Sequence, residues 1–372
     1  MRDPILSPYD LPTPALLIDL DQAEENIRRM QERADALGLA LRPHIKTHRM
    51  PYFAQKQMRA GACGIACAKL GEAEVMAQAG ITDILIANEL IGPDKYERLK
   101  ALHRRIRIRT GLDNEVQLAQ MEAAFAGEER PLEVLIELEV GEVRSGVVDD
   151  AQLTALAKAV QKCRNVVIKG IFSHEGHCYK AEDADDCRRK ARRAYERTVR
   201  AAGILRSLGC EIDTVSVGAT PSVMLGDWFE GVTELRIGTY IFFDVGQSNA
   251  IGDYSRCAAT VLASVISQPE KERVVLDAGA KALVSQNRPA GICATAGFGA
   301  VKGAEHITVA NLYDEHAVIN SAELKERVRV GDKIELIPSH ICPTVNLYDS
   351  AWLVSRGKLL GTVPVECRGR SV

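Results

Sequence analysis

No stretch of this sequence approaches the roughly 18 consecutive apolar residues that a membrane span requires. Met1-Arg2-Asp3-Pro4 brings no apolar signal core. The ten cysteines form no CxxC pair and no regular framework, and Cys63 and Cys67 stand four apart. Scattered thiols without an export signal read as reduced cysteines in a cytoplasmic chain. The formal net charge is −3 and no stripe of Lys and Arg is present, so nucleic-acid binding has no electrostatic footing. The basic run Arg188 to Arg193 follows Asp183, Asp185 and Asp186 in a helical pattern and reads as a solvated helix face. There is no GxxxxGK[ST] loop and no well-placed GxGxxG, which disfavours nucleoside triphosphates and dinucleotides. Internal repeats, low-complexity segments and long linkers are also missing.

What is present is enough for a large core. The chain has 372 residues, of which 46% are hydrophobic and 26% charged, which excludes general disorder. That length exceeds the size at which single cores stop growing, so a large α/β barrel with an appended domain is expected. Eight short apolar runs alternate with helical patterns: Leu39 to Lys46, Cys63 to Ala66, Ile84 to Ala87, Ile106 to Thr110, Leu132 to Val140, Val166 to His174, Thr214 to Gly218 and Leu235 to Gly238. Strands buried on both faces look like this, and eight β/α units predict a (β/α)8 TIM-like barrel over residues 21–248. Beyond about residue 250, Val261 to Ile266, Arg273 to Asp277, His306 to Asn311, Lys333 to Ile337 and Leu359 to Val363 read as strands without intervening helices. They predict a C-terminal mostly-β domain over 249–372. An early strand, Ala15 to Asp19 within residues 1–20, is assigned to that β domain.

In such a barrel, chemistry collects at the C-terminal strand ends. Those ends carry Lys46, Asn88, Arg144, His174, the loop Gly218-Ala219-Thr220-Pro221-Ser222, and Gly238-Thr239-Tyr240. Lys46 lies between His44 and His48, where positive neighbours and desolvation lower a lysine pKa, as a Schiff-base lysine needs. The Gly218 loop suits a phosphate: Gly218 admits close backbone approach, and Thr220 and Ser222 offer hydroxyls. An ordinary capped turn is the alternative. Arg144 can meet a ring nitrogen or a carboxylate, or simply pair with Glu139 or Glu142. His174-Glu175-Gly176-His177-Cys178-Tyr179 favours ring stacking or hydrogen bonding near a cofactor over an HxxH metal pair. Late in the chain, His340 and Cys342 are two apart after the strand Ile334 to Ile337. In extended backbone that spacing puts both on one face, and imidazole with thiolate favours zinc.

Taken together, Arg42-Pro-His-Ile-Lys46-Thr-His48, Gly218-Ala-Thr-Pro-Ser222 and Ser339-His340-Ile-Cys342-Pro-Thr-Val-Asn346 resemble the D-serine dehydratase and D-threonine aldolase family. These are fold-type III pyridoxal-phosphate (PLP) lyases with an alanine-racemase-like barrel. The resemblance spans nearly the whole chain, from Asp10-Leu-Pro-Thr-Pro14 onward. It implies that Lys46 forms the Schiff base, that Arg144 lies on the pyridine-nitrogen side, and that Gly218 to Ser222 hold the phosphate. Tyr179, His174, Gly238 and Tyr240 complete the expected cofactor set, with His44 a candidate base. The resemblance further implies that His340 and Cys342 bind a divalent metal, zinc first with manganese or magnesium next, at the β-hydroxyl of a D-amino acid. A homodimer is expected. Cys342 stands where aldolases of the family carry Asp, and His174-Glu175-Gly176 replaces their Tyr-His-Gly. Both departures favour the dehydratase branch. Aldolase cleavage is the main alternative; an amino-acid racemase or a non-catalytic PLP carrier comes after.

Overall fold

The computed structural model describes residues 7–372. Met1 to Pro4, read above as lacking a signal core, fall outside them. The chain divides into two compact units, each discontinuous in sequence. One, the barrel unit, comprises Met30–Lys46, Phe53–Gly238 and Gly369–Val372. The other, the β unit, comprises the described residues up to Arg29, Thr47–Tyr52 and Thr239–Arg368.

Strand β1 (Ala15–Asp19) belongs to the β unit. The next eight are β2 (Ala40–Leu41), β3 (Ile65–Cys67), β4 (Asp83–Glu89), β5 (Arg107–Leu112), β6 (Leu132–Leu138), β7 (Val166–Ser173), β8 (Thr214–Val217) and β9 (Glu234–Leu235). They pair in the order β2-β9-β8-β7-β6-β5-β4-β3, every pair parallel. The two ends of that order meet. Cys63 N–H donates to Leu41 O (2.9 Å), Ala66 N–H donates to Pro43 O (2.8 Å), and His44 bridges Ala66 in parallel. The sheet is therefore a closed (β/α)8 barrel, and all eight apolar runs lie on its strands. They read as uninterrupted apolar runs because the helices cover the outer face while side chains such as Leu85, Leu135 and Phe172 fill the interior.

The helices between strands start where their side chains can cap them. Asn114, Asp149 and Asp183 each accept a hydrogen bond from the backbone N–H three residues on. The basic run lies on the helix Ala184–Ser207, where Lys190 pairs with Asp186 (2.6 Å) and Arg192 with Glu196 (2.8 Å). No helix of the described residues is long and apolar enough to cross a membrane. None of the ten cysteines, all of them described, is in a disulfide.

In the β unit, β1 runs antiparallel to β10 (Ala259–Ser267). The remaining strands are β11 (Arg273–Leu276), β12 (Gly299–Val301), β13 (Ala304–Thr308), β14 (Asn311–Leu312), β15 (Ala317–Asn320), β16 (Lys333–Pro338), β17 (Ser350–Ser355) and β18 (Lys358–Pro364). The main path is β13-β12-β16-β10-β1-β17-β18, with β11, β14 and β15 attached through β10. Two short helices, Ala322–Arg327 and Ile341–Val345, interrupt what the sequence suggested was helix-free. The second matters for the site. His340 is its extended N-cap residue and Cys342 lies in its first turn, so the extended-backbone argument for a shared face does not apply. Asp244 accepts the Ile341 N–H (3.1 Å), Thr344 Oγ1 donates to His340 O (2.9 Å), and Pro343 sits in the first turn, where proline is tolerated.

Candidate active site

The residues singled out in the sequence fall into two sets, one in each unit. In the barrel unit, the one-turn helix Ile45–Thr47 begins just after His44 and carries Lys46. The Lys46 N–H donates to His44 Nδ1 (3.3 Å), which leaves the ring hydrogen of a neutral His44 on Nε2. His44 is held neutral: burial pushes its pKa well down, and Lys46, Arg236, His174 and Arg144 push the same way. His174, at the end of β7, is depressed for the same reasons, by desolvation first and then Lys46, Arg144 and Arg236. Its Nδ1 donates to the carbonyl of Gly218 (3.2 Å), so Nε2 carries the lone pair. The two imidazoles are thus fixed in opposite tautomers. Tyr179 meets His174 edge-on at 6.2 Å between ring centroids.

Arg236 was not among the sequence candidates. It follows β9, is buried, donates to Ser173 O (2.5 Å), and lies 5.0 Å from the centre of the Phe172 ring. Its Nε is buried with no acceptor among the described residues. Nearby, Glu175 is buried and accepts from Ser173 Oγ (2.7 Å) and Ser222 Oγ (3.3 Å). Burial raises the Glu175 pKa although these donors and Arg236 oppose it. Arg144 pairs with Glu137 (3.1 Å) rather than with Glu139 or Glu142. Glu139 instead accepts the Gly141 and Val143 amides at 2.6 and 2.8 Å. Sequence reading overlooked Glu137 and Arg236, although an acid inside the run Leu132 to Leu138 is itself a signal. A charge on a strand buried on both faces is costly unless it serves a partner.

The Gly218 loop is a close-packed cradle. Gly218 has φ +142°, and a Cβ there would lie 2.8 Å from Ile237 Cγ2. Ala219 and Thr220 are buried at the start of the six-residue helix Thr220–Leu225. Ser222 Oγ accepts from Ala219 N (3.0 Å), and its one hydrogen is shared between Ala219 O (2.9 Å) and Glu175 (3.3 Å). Gly238 closes the barrel segment. Lys46, Arg144 and Arg236 thus bear together on His44 and His174, one buried guanidinium nitrogen lacks an acceptor, and a glycine admits close approach. This arrangement fits an anionic, phosphate-bearing cofactor bonded to a lysine.

In the β unit, the Cys342 sulfur lies 3.3 Å from Thr47 Oγ1 and 3.7 Å from Thr239 Oγ1. His340 Nδ1 donates to Gln286 Oε1 (2.9 Å), an outer contact of the kind that orients a ligating imidazole. Tyr240 is fully buried in this unit. Among the described residues no three or more His, Cys, Asp or Glu side chains gather at ligating distance. An imidazole and a thiol therefore fit an open, soft-donor site with two protein ligands rather than a closed structural one. His174 and His177 form no such group.

The fold and the barrel-end lysine define an alanine-racemase-like PLP barrel. Residues 18–245 match the family of the alanine racemase N-terminal domain, and residues 258–354 match the serine dehydratase domain. The chain is 35% identical to D-threonine aldolase of an Arthrobacter species, covering 96% of this chain and 93% of that one. D-threo-3-hydroxyaspartate dehydratase from Delftia sp. HT23 superposes with a TM-score of 0.89 at 30% identity, covering 96% of this chain and 98% of that one. Solved forms of D-threo-3-hydroxyaspartate dehydratase include a histidine-to-alanine mutant and, two residues on, a cysteine-to-alanine mutant in the metal-free form. The latter has a TM-score of 0.89 at 29% identity over 96% of this chain and 98% of that one. The chain belongs to the D-serine dehydratase and D-threonine aldolase family of fold-type III PLP enzymes, and it is a lyase.

Proposed function

We propose that this lyase is a PLP- and divalent-metal-dependent dehydratase of 3-hydroxy D-amino acids, D-serine or D-threonine first, yielding a 2-oxo acid and ammonia. The observation that carries the choice is the His340 and Cys342 pair, with the thiol between Thr47 and Thr239. It matches the His and Cys spacing altered in the dehydratase mutants, one of which is metal-free.

PLP supplies an electron sink for the negative charge that develops at Cα. A divalent ion, zinc by the softness of the donors, supplies Lewis acidity at the β-hydroxyl. The chain's own groups do the rest. Lys46 Nζ would hold the cofactor, and its amine would be the group that takes the substrate's α-proton. Gly218, Ala219 and Thr220 would receive the phosphate, with Ser222 bracing their turn. Arg144 would be the partner of the ring nitrogen, and His174 and Tyr179 would hold the ring. His44 offers Nε2–H to the substrate and so acts as a donor rather than the base first considered. The α-proton and the β-hydroxyl leave, and the resulting enamine hydrolyses to the 2-oxo acid and ammonia.

Aldolase cleavage is the second reading, supported by the 35% identity to D-threonine aldolase. There a base must take the β-hydroxyl proton, and His174 Nε2 carries the lone pair for it. Product analysis with D-threonine, PLP and zinc separates the two. The expected products are 2-oxobutanoate and ammonia; glycine and acetaldehyde would reassign the enzyme as an aldolase. Cys342→Ala is expected to keep the cofactor's Schiff-base absorbance and lose elimination, whereas unchanged turnover would remove the metal from the reading.

A further inference from the structure

Three acids lie at the C-terminal ends of adjacent barrel strands: Glu89 closes β4, Asp113 follows β5, and Glu137 is the penultimate residue of β6. They are tied to the loop that presents Arg144. Glu137 Oε1 accepts from Arg144 Nη2 (3.1 Å) and from Ser145 Oγ (3.0 Å), and Asp113 Oδ2 accepts the Gly146 N–H (3.1 Å). The loop is held in a conformation its sequence resists. Val143, β-branched, has φ +58°, a region such residues almost never enter. Strain of this kind persists only where the surroundings over-determine it. Here Glu139, Glu137 and Asp113 all hold the segment.

Glu89 has no visible role in this scheme until protons are considered. Its Oε1 is buried with no donor among the described residues. In register Glu89 lies opposite Gly111 of β5, and Gly111 lies opposite Leu135, two residues before Glu137, so the β5 residue between the two acids has no side chain, and Glu137 is a hydrogen-bonding influence on the Glu89 carboxyl. Two carboxylates cannot bond each other without a proton between them.

We propose that Glu89 is a positioning residue of the site: its carboxyl shares one proton with Glu137, and the pair, with a single negative charge, fixes Arg144 at the barrel mouth. The shared proton satisfies the buried Glu89 oxygen. It also matches one negative charge to one guanidinium, so Arg144 is held by a single ion pair instead of being drawn onto two carboxylates. The charges facing the pair are Asp113 from the end of β5, Arg144 from its loop and Arg236 from beyond β9. Burial, then Glu137, then Asp113 push Glu89 up to about 9, in line with this assignment. The inference rests on the placing of Arg144 beside the cofactor ring.

The test uses the full-length protein. Its thermal stability without added PLP, and its Schiff-base absorbance with PLP, are each followed across the alkaline range for wild type, Glu89→Gln and Glu89→Ala. A raised carboxyl makes the folded state bind the extra proton, so stability is lost as pH climbs from the ordinary carboxyl range through the folded value. Wild type should therefore lose stability relative to Glu89→Gln on going toward pH 9. Glu89→Gln, whose amide can still donate to Glu137, should retain cofactor affinity. Glu89→Ala, Glu137→Gln and Arg144→Gln should each weaken PLP by about tenfold, the worth of one charge-assisted hydrogen bond. Combining Glu137→Gln with Arg144→Gln should add nothing further. Identical alkaline profiles for wild type and Glu89→Gln, or additive losses in the double variant, would overturn the proposal. If wild type failed to bind PLP at all, the cofactor reading would fall, and the cofactor-free stability profile would still decide whether the proton is shared.

Discussion

Two charge clusters occupy the same barrel, and only one of them is balanced. Toward the N-terminal strand ends, Arg42 reaches Glu234 (2.8 Å) and Asp83 (2.7 Å), and Arg109 reaches Asp83 (2.9 Å). Two buried guanidinium groups, with exposed Arg107 3.7 Å from Asp83, meet two carboxylates; Thr214 and Ser216 take further positions, and Arg109 Nε has no acceptor among the described residues. Burial opposes every charge there, yet the partners prevail: Arg42 is raised, and Asp83 and Glu234 are lowered. At the C-terminal ends the outcome is reversed. Burial wins, so His44, His174 and Arg236 are all depressed and Glu175 is raised. A buried cluster that neutralises itself serves the fold. One in which burial and neighbouring cations depress His44, His174 and Arg236 together is set for an anion that the chain does not provide.

The contrast predicts that equivalent charge removals act on different properties. The largest effect is at the mouth. Lys46→Ala should abolish the Schiff-base absorbance and lower turnover by about 10⁴-fold, the upper range for a positioned proton-transfer group. The same change should leave the cofactor-free chain no less stable, because it removes a cation from an unbalanced cluster; marked destabilisation in urea unfolding would contradict the comparison. Next comes the floor. Glu234→Gln uncovers the buried Arg42 and should cost about 3 to 5 kcal/mol by denaturant unfolding. Any surviving folded protein should show a normal Schiff-base band. Loss of the band without loss of stability would place Glu234 in the wrong cluster.

The barrel was readable because each of its strands is buried on both faces and announces itself as an apolar run. The placement of Lys46, His174 and Gly218 at one end of the barrel was readable because the apolar runs end there. The β unit was less so. Gly299–Val301, Ala317–Asn320 and Ser350–Ser355 are short and carry Gly, Asn or Ser, and they passed unnoticed between longer strands. The helix Ile341–Val345 was hidden by Pro343, which signals a break in most places but is harmless in a first turn. Arg236 and the Glu89 and Glu137 pair carry meaning only through neighbours brought from other strands. No local pattern marks them beyond an unexpected charge in an apolar run.

A smaller effect tests the cradle. Gly218→Ala forces a side chain into φ +142° and to 2.8 Å from Ile237 Cγ2. The strain, of order 1 to 3 kcal/mol, should appear mainly as weaker PLP binding, since the loop lies at the unbalanced end. An equal loss of stability with unchanged affinity would make the turn purely structural.

The smallest effect is the most direct measure of the imbalance. His44 and His174 are neutral in the fold because burial and Lys46 depress them. Below the ordinary imidazole pKa, near 6.5, the unfolded chain therefore binds protons that the folded chain refuses. Stability must fall as pH drops through that range, by about 1.4 kcal/mol per unit for each histidine that stays neutral. An anion seated among Lys46, Arg144 and Arg236 offsets part of the field that depresses both rings. Inorganic phosphate should then flatten the acid slope relative to chloride at matched ionic strength, and His174→Asn should flatten it without phosphate. The floor, already neutral, should not respond to phosphate. If phosphate left the slope unchanged, the cation excess would be an incidental result of burial rather than a seat for an anionic cofactor.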